Sequence, residues 1–251
     1  RELKPDYIVA AFDRPEPTFR HESYEAYKVK RPEADEDLVK QLIRSHDVVD
    51  AFGIPILDAV GFEADDVLGT IVEQTKKLKD TKTIIVSGDM DVLQLVEDDK
   101  VVVFTLRKGI EDTIIYDEKK VEERYGFGPK AIPDFKGLKG DPSDNIVGVK
   151  GIGEKTATDI IKNFGTLENL YNKLENIPPS GEAGILKERI VRLLKDHKKD
   201  AFFSKMLATI RRDVPIDFQL PASNFQINKD KLASLFGELG FTSLAARLDV
   251  F

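Results

Sequence analysis

Short apolar runs alternate with segments of helical periodicity through the first half of the chain. The runs are continuous and end in small or charged residues. This pattern is typical of strands that are buried on both faces of a parallel sheet. It predicts strands at residues 6–13, 81–91, 100–106 and 113–116.

Two helices are predicted between the first two of these strands. Residues 37–52 carry apolar side chains at helical spacing, and Gly53 ends that segment in the manner of a C-terminal glycine. A second helical pattern covers residues 64–78. Strands that alternate with helices in this order imply an α/β core built on a parallel sheet.

The chain becomes mainly helical after the last predicted strand. Glycines punctuate residues 148–165 before a helix, and Thr166 is placed to cap a further helix over residues 167–174. Residues 176–184 read as a loop, and amphipathic helices follow. We therefore predict an α/β core at residues 1–116 and a helical region at residues 117–251.

Composition narrows the classes of protein that this chain represents. Hydrophobic residues make up 41% and charged residues 33% of the 251, as in an ordinary globular protein, and no apolar run is long enough to span a bilayer. There is no cysteine, which excludes disulfides and thiolate metal sites and suits a cytoplasmic setting. The three histidines are far apart in sequence, so any metal is expected to be a hard cation held by oxygen.

The net charge of −7 argues against a nucleic-acid partner only if the acidic residues are evenly spread. They are clustered at predicted strand ends, at a helix start and at an i, i+3 pair: Asp13, Glu63, Asp65, Asp66, Asp89, Asp91, Asp141 and Asp144. Two carboxylates about 5 Å apart repel by roughly 3 kcal/mol at an effective dielectric constant near 20. For each cluster alone, turn chemistry or a helix start is a sufficient explanation. Their coincidence at one sheet edge favours magnesium binding.

A basic, aromatic segment follows Asp13. As a helix over residues 19–31 it would place Arg20, Tyr24, Tyr27, Lys28 and Arg31 on one face. Such a face suits phosphates and stacked bases, although a solvated helix with two packed tyrosines explains the spacing equally well.

A glycine-rich hairpin precedes the helix that ends near Gly165. Gly151 and Gly153 do not form a dinucleotide-binding motif, because no strand precedes them and no third glycine follows. A hairpin of this kind instead offers backbone N–H groups to a DNA phosphate, with Lys150 and Lys155 beside it.

Four stretches together resemble, in the family's order, the 5′-nuclease domain of bacterial DNA polymerase I, a relative of flap endonucleases. They are AFDRPEPTFRHESYEAYKVKR, GFEADD, SGDMDVLQLV and GDPSDNIVGVKGIGEKTA. The resemblance implies an α/β nuclease core, followed by a helix-three-turn-helix region that holds duplex DNA.

The same resemblance implies roles for individual residues. The eight carboxylates would bind two or more Mg²⁺ ions, with Mn²⁺ as a substitute. Arg20, Lys28 and Arg31 would belong to a basic arch that acts on the substrate phosphate. The implied DNA-binding residues are Tyr27 (a base-stacking neighbour), Gly148, Lys150, Gly151, Gly153, Lys155 and Thr156. The hairpin can also bind K⁺ in this family.

One departure from the family pattern affects the expected activity. The family begins with a further buried strand that carries a metal-ligand aspartate, several tens of residues before residues 6–13, and this sequence does not contain it. Without that strand, one edge of the sheet lacks its neighbouring strand, and the metal site lacks one carboxylate. We therefore expect weaker metal binding.

The expected function is that of a structure-specific 5′ nuclease in DNA replication and repair. It would be a monomeric cytoplasmic protein at the bacterial nucleoid, acting on DNA with 5′ ends, flaps or nicks. The sequence leaves open whether it is linked to a C-terminal polymerase region. A catalytically impaired DNA-binding fragment of such a nuclease is the main alternative. A magnesium-dependent phosphatase of small molecules would also use the carboxylates, but it would need neither the basic segment nor the hairpin.

Overall fold

The structure, a computed structural model, describes residues 3–108, 112–177, 186–220 and 227–248. Its strands are β1 (Ala10–Ala11), β2 (Ile56–Leu57), β3 (Thr83–Val86), β4 (Val101–Lys108) and β5 (Asp112–Tyr116). Its α-helices are α1 (Phe19–Ser23), α2 (Glu36–Ala51), α3 (Ala64–Thr75), α4 (Glu118–Tyr125), α5 (Ile132–Lys139), α6 (Glu154–Phe164), α7 (Leu167–Leu174), α8 (Glu188–Asp196), α9 (Lys198–Ala208), α10 (Lys229–Glu238) and α11 (Thr242–Ala245). Short 3₁₀ helices cover Asp91–Leu95 and Pro129–Ala131. Among the residues described, no helix combines the length and apolar character that a membrane span requires.

The chain forms two compact units, and each unit contains segments from both of the predicted domains. The first unit contains Arg1–Thr18, Pro32–Val67 and Val214–Phe251, and the second contains Phe19–Arg31 and Leu68–Asp213. Strands β3 to β5 therefore share a unit with helices α4 to α9. The physical reason is a common apolar core, in which Val103 of β4 and Phe135 of α5 belong to one buried cluster.

In the first unit, β1 and β2 form a short parallel pair in which Ala10 is opposite Ile56. Helix α2 packs against α10 through a buried cluster that includes Ala51 and Phe236. The helix confirms the prediction over residues 37–52. Strand β1 is much shorter than the predicted 6–13, since its partner β2 offers only two paired residues.

In the second unit, β4 lies between β3 and β5. Strands β3 and β4 are parallel, with Val86 opposite Phe104, whereas β5 runs antiparallel to β4. A parallel connection needs a crossover of about a dozen residues. Only residues 109–111 separate β4 from β5. The predicted parallel pairing is therefore correct for β3 with β4, as it is for β1 with β2, whereas β5 is antiparallel.

Helix α5 occupies the middle of the helical part of the second unit, where it packs against α6 and α9. Leu138, Leu170 and Leu194, from α5, α7 and α8, are fully buried in one core. Burial of each such leucine stabilises the fold by roughly 1.5–3 kcal/mol. Helix α7 has the predicted bounds, and Thr166 caps it by accepting the Asn169 N–H. Most of the predicted loop at residues 176–184 lies outside the described residues.

Candidate metal centre and nucleic-acid interface

The predicted ligands of the first unit meet at the N-terminus of α3. Asp13 follows β1, and its Oδ1 accepts the backbone N–H of Ala64 at 2.7 Å. Asp66 is fully buried and its Oδ2 accepts the N–H of Glu63 at 3.1 Å. Asp65 lies beside it in the first turn of α3. The helix dipole and the N–H donors of this turn stabilise carboxylates there, which brings all four predicted ligands of this unit to one helix end.

In the second unit, Lys136 joins two of the predicted ligands. Asp91 begins the 3₁₀ helix after β3, and its Oδ1 contacts Lys136 Nζ. The same Nζ lies 2.6 Å from Asp141 Oδ2. Asp89 accepts the Asp91 N–H at 2.8 Å, and Ser143 donates its N–H and Oγ–H to Asp141. Asp91 and Asp141 therefore share one ammonium group, and Asp89 is hydrogen-bonded to the Asp91 backbone.

Electrostatics confirm the crowding of negative charge around Asp91. Burial raises the pKa of Asp91, the positive charge of Lys136 opposes this effect, and the charges of Asp89 and Asp141 raise the pKa further. Burial also disfavours the ionised form of Asp141, but the charge and hydrogen bond of Lys136 outweigh it and lower the pKa of Asp141. The charge of Lys136 thus favours the ionised form of both carboxylates.

Asp144, the remaining predicted ligand of this unit, is tied to the basic segment. Its Oδ1 accepts Arg31 Nη2 at 2.5 Å and its Oδ2 accepts the Tyr27 hydroxyl at 3.1 Å. The backbone N–H of Lys28 donates to the Asp144 carbonyl at 3.0 Å. The arrangement places Lys28 and Arg31 next to a predicted ligand, and their role in a basic arch over the substrate stays a prediction.

The basic segment is not the predicted helix over residues 19–31. Helix α1 ends at Ser23, and Lys28 has a φ of +55°, which a helix does not allow. The five residues predicted to share one helix face therefore do not do so. The cause is tertiary, because the segment follows its hydrogen bonds to Asp144 and Asn145, whose Nδ2 donates to the Ala26 carbonyl.

Two aromatic and basic residues of this segment are buried rather than exposed to a ligand. Tyr27 is 3% exposed and packs edge-on against His21, so its ring offers no open face for stacking on a base. Arg20 is also 3% exposed, and its guanidinium donates to the carbonyl oxygens of Leu207 and Thr209, each at 2.8 Å. Arg20 thus anchors α1, and its role at a substrate phosphate stays a prediction.

The glycine hairpin is held rigidly on α5 and α9. Gly148 has a φ of +67°, its N–H donates to Ser204 Oγ at 3.0 Å, and a Cβ there would lie 2.3 Å from the Gly140 nitrogen. The Val149 N–H donates to the Leu138 carbonyl at 2.8 Å. The hairpin therefore has one fixed conformation relative to its supporting helices.

The outer side of the hairpin suits an anion. Lys150, Gly151, Gly153 and Lys155 are exposed. Helix α6 begins directly after Gly153, and no side chain of the described residues caps its first N–H groups. Uncapped N–H groups at a helix N-terminus, close to two lysines, form a favourable environment for phosphate. Thr156, also predicted to bind DNA, lies in the first turn of this helix.

A complete metal cage is not assembled within the described part of the chain, where no three His, Asp or Glu side chains form a metal-binding group. In the structure, a backbone N–H group donates to Asp13, and the Lys136 ammonium contacts Asp91 and Asp141. Mg²⁺ is commonly held by one or two carboxylates together with water and substrate phosphates. The carboxylate oxygens of Asp91 and Asp141 already bind one cation, the Lys136 ammonium, and they are suitable ligands for such an ion.

Two functional neighbours were missed by the sequence reasoning, namely Lys136 and Asp134. Asp134 is 3% exposed and accepts the Leu167 N–H at 2.8 Å, and Lys205 Nζ lies 2.6 Å from it. The available signal was the presence of charged residues between the apolar residues Ile132, Phe135 and Leu138 of one short helix. Such residues are seldom buried unless paired.

Comparisons with known proteins agree with this architecture. Residues 1–126 match the family model of the 5′-3′ exonuclease N-terminal, resolvase-like domain, and residues 127–231 match that of the 5′-3′ exonuclease C-terminal SAM fold. A 5′-3′ exonuclease of Buchnera aphidicola subsp. Baizongia pistaciae is 42% identical over 212 residues, which cover 84% of this chain and 67% of that protein.

A DNA polymerase I of Bacillus caldotenax is 36% identical over 249 residues, which cover 99% of this chain but only 27% of the polymerase. Among solved structures, a bacteriophage T5 flap endonuclease, crystallised with DNA and metal ions, superposes with a TM-score of 0.63 at 22% identity. The match covers 96% of this chain and 83% of that one. At this identity the likeness establishes the fold and confirms the predicted α/β core with a helical region. With both family models matched over nearly the whole length, the chain belongs to the 5′-3′ exonuclease family.

Proposed function

We propose that this chain is a structure-specific 5′ nuclease, which hydrolyses DNA phosphodiesters near 5′ ends, nicks or flap junctions during replication and repair. The observation that carries the proposal is that Asp91 and Asp141 share one cation, the Lys136 ammonium, on the same unit as the basic residues held at Asp144. The Buchnera exonuclease and the T5 flap endonuclease, the latter solved with DNA and metal ions, support it.

The proposed cofactor is Mg²⁺, with Mn²⁺ as a substitute. The residues that would hold it are Asp13, Glu63, Asp65 and Asp66 in the first unit and Asp89, Asp91, Asp141 and Asp144 in the second. Bound divalent ions would supply an activated water and neutralise charge on the phosphate oxygens. The carboxylates' own task is to present oxygen ligands in a fixed arrangement, which the hydrogen bonds to Ala64, Ser143 and Tyr27 support.

The basic segment would position the substrate phosphate. The Arg31 side chain is 51% exposed and donates to Asp144, so its guanidinium lies beside a predicted ligand carboxylate. Lys28 is partly exposed on a turn whose unusual backbone is fixed by the Asp144 carbonyl. Cations aimed at a phosphate in this manner stabilise charge that develops in the transition state.

The decisive experiment measures cleavage of a labelled 5′-flap duplex by the chain in Mg²⁺. Cleavage that EDTA abolishes and that Asp141→Asn removes would support the proposal. Binding of the flap substrate without cleavage would favour the DNA-binding alternative, and hydrolysis of p-nitrophenyl phosphate without DNA binding would favour a phosphatase.

Lys28→Ala is expected to lower kcat by about 100-fold with a much smaller change in KM, since a group that contacts the reacting phosphate acts mainly in the transition state. Steady-state kinetics on the flap substrate provide the measurement. Lys30→Ala is the matched control, because Lys30 lies two residues away, is exposed and carries the same charge. A rise in KM alone would make Lys28 a docking residue.

Lys150→Ala is expected to weaken duplex binding a few-fold and to reduce the slope of log affinity against log salt by about one, the value for one lost phosphate contact. Lys119→Ala serves as the control, since Lys119 is 83% exposed on α4 of the same unit. Equal slopes of log affinity against log salt for the two variants would show that Lys150 does not contact a DNA phosphate. Repeating the titration in K⁺ and in Na⁺ tests the further proposal that the hairpin binds potassium.

A further inference from the structure

Lys136 contacts two predicted metal ligands, but the proposed function assigns no role to its own ammonium group. Its side chain is 14% exposed, and its Nζ contacts Asp91 Oδ1 while lying 2.6 Å from Asp141 Oδ2. Asp91 and Lys136 are 45 residues apart in sequence, whereas Asp141 follows α5 directly. One ammonium group therefore closes the space between two carboxylates that come from different segments.

An ammonium group and a divalent ion cannot both occupy this position. A magnesium ion sits about 2.0–2.1 Å from its oxygen ligands, and the Lys136 nitrogen is already at hydrogen-bonding distance from the same Asp141 oxygen. Two cations held by the same oxygens would repel each other strongly in a partly buried environment. Occupation of the Asp91–Asp141 pair by metal therefore requires Lys136 to move away.

We propose that Lys136 is a built-in competitor of the divalent cation: it neutralises Asp91 and Asp141 in the metal-free protein and lowers the affinity of this pair for metal. The inference rests on the proposed metal site and names one determinant of its affinity. Its consequence is that the metal-free protein needs no ion to keep the two carboxylates together. Removal of Lys136 should therefore destabilise the metal-free protein and strengthen metal binding.

The test compares Mn²⁺ binding by the full chain and by Lys136→Met, a variant of similar shape without charge, using electron paramagnetic resonance of free Mn²⁺. The variant is expected to bind Mn²⁺ at least about tenfold more tightly, which corresponds to about 1.4 kcal/mol. Lys139→Met is the matched control: it lies on the same helix, loses the same charge, and pairs with Glu154 at 3.1 Å rather than with a predicted ligand. Its Mn²⁺ affinity should stay within about twofold of the wild-type value.

Thermal unfolding provides a second readout that a purely structural role would not produce. Lys136→Met should melt at a lower temperature than the wild type without metal, and the difference should close in saturating Mn²⁺. Should the metal-free variant prove unfolded, Lys136→Arg keeps the charge and should retain weak, wild-type-like Mn²⁺ binding. Unchanged or weaker Mn²⁺ binding by Lys136→Met would show that Lys136 does not compete with the metal ion.

Asp91→Asn separates this inference from the proposed function. If Asp91→Asn and the wild type bind Mn²⁺ equally, Asp91 is not a ligand and the proposed site is wrong, together with the competition. If Asp91→Asn weakens binding while Lys136→Met does not strengthen it, the proposed site stands and only the competition fails.

Discussion

Gly148→Ala is expected to destabilise the protein by about 3 kcal/mol or more, from two additive causes. An alanine in the left-handed region costs about 1–2 kcal/mol, and Gly148 has a φ of +67°. The added Cβ would also lie 2.3 Å from the Gly140 nitrogen and 2.6 Å from the Lys139 carbonyl carbon. These are backbone atoms that cannot turn away, and such overpacking costs a further 1–3 kcal/mol or so.

The measurement is thermal or urea unfolding of the Gly148→Ala chain. The melting temperature is expected to fall by roughly 6–12 °C, at about 2–4 °C per kcal/mol for a chain of this size. Gly153→Ala is the matched control from the same hairpin, since its φ is −94° and a Cβ there meets no atom within 4 Å. It should be nearly neutral. Equal stability of the two variants would show that the contact between Gly148 and Gly140 does not fix the hairpin.

Asp134→Ala is expected to destabilise the protein by about 3–5 kcal/mol, the usual effect of removing one partner from a buried ion pair. The carboxylate is 4% exposed, caps α7 through the Leu167 N–H and pairs with Lys205 at 2.6 Å. Its removal would leave that N–H without its acceptor and a half-buried ammonium without its inner partner.

Glu168→Ala provides the comparison, because Glu168 pairs with the same Lys205 at 2.8 Å but its side chain is 54% exposed. An exposed pair of this kind contributes about 0–1 kcal/mol. Urea unfolding of both variants would measure the difference. If the two substitutions lower the free energy of unfolding equally, burial does not make the Asp134–Lys205 pair more stabilising than the exposed Glu168–Lys205 pair.

Local signals predicted the elements whose causes lie within a few residues. Helix α2 follows its apolar spacing and ends at Ala51, two residues before Gly53, whose φ is +66°. Helix α7 follows its Thr166 cap. Strand β2 was not predicted, because a strand of two residues is too short to show an alternating pattern. The helix over residues 19–31 was wrong beyond Ser23 because contacts remote in sequence, to Asp144 and Asn145, override its local preference.

The candidate site was predictable in composition but not in arrangement. Carboxylates after apolar runs are visible in a sequence, and so is the glycine hairpin. The pairing of Lys136 with Asp91 is not visible, because it depends on how α5 is placed against the segment after β3. The burial of Arg20 and Tyr27 also depends on tertiary structure, since a helical spacing cannot distinguish a side chain that faces solvent from one enclosed by residues 144 and 207.

The anchoring of the basic segment also determines when it can form during synthesis. Arg20 reaches the carbonyls of Leu207 and Thr209, which are 187 and 189 residues further along the chain, and Arg31 reaches Asp144 after 113. At a translation rate of about 5–20 residues per second, the partners of Arg20 emerge roughly 10–40 s after Arg20 itself. The segment is therefore completed only after α9 has been synthesised, so a nascent chain would carry it without these contacts until α9 has folded.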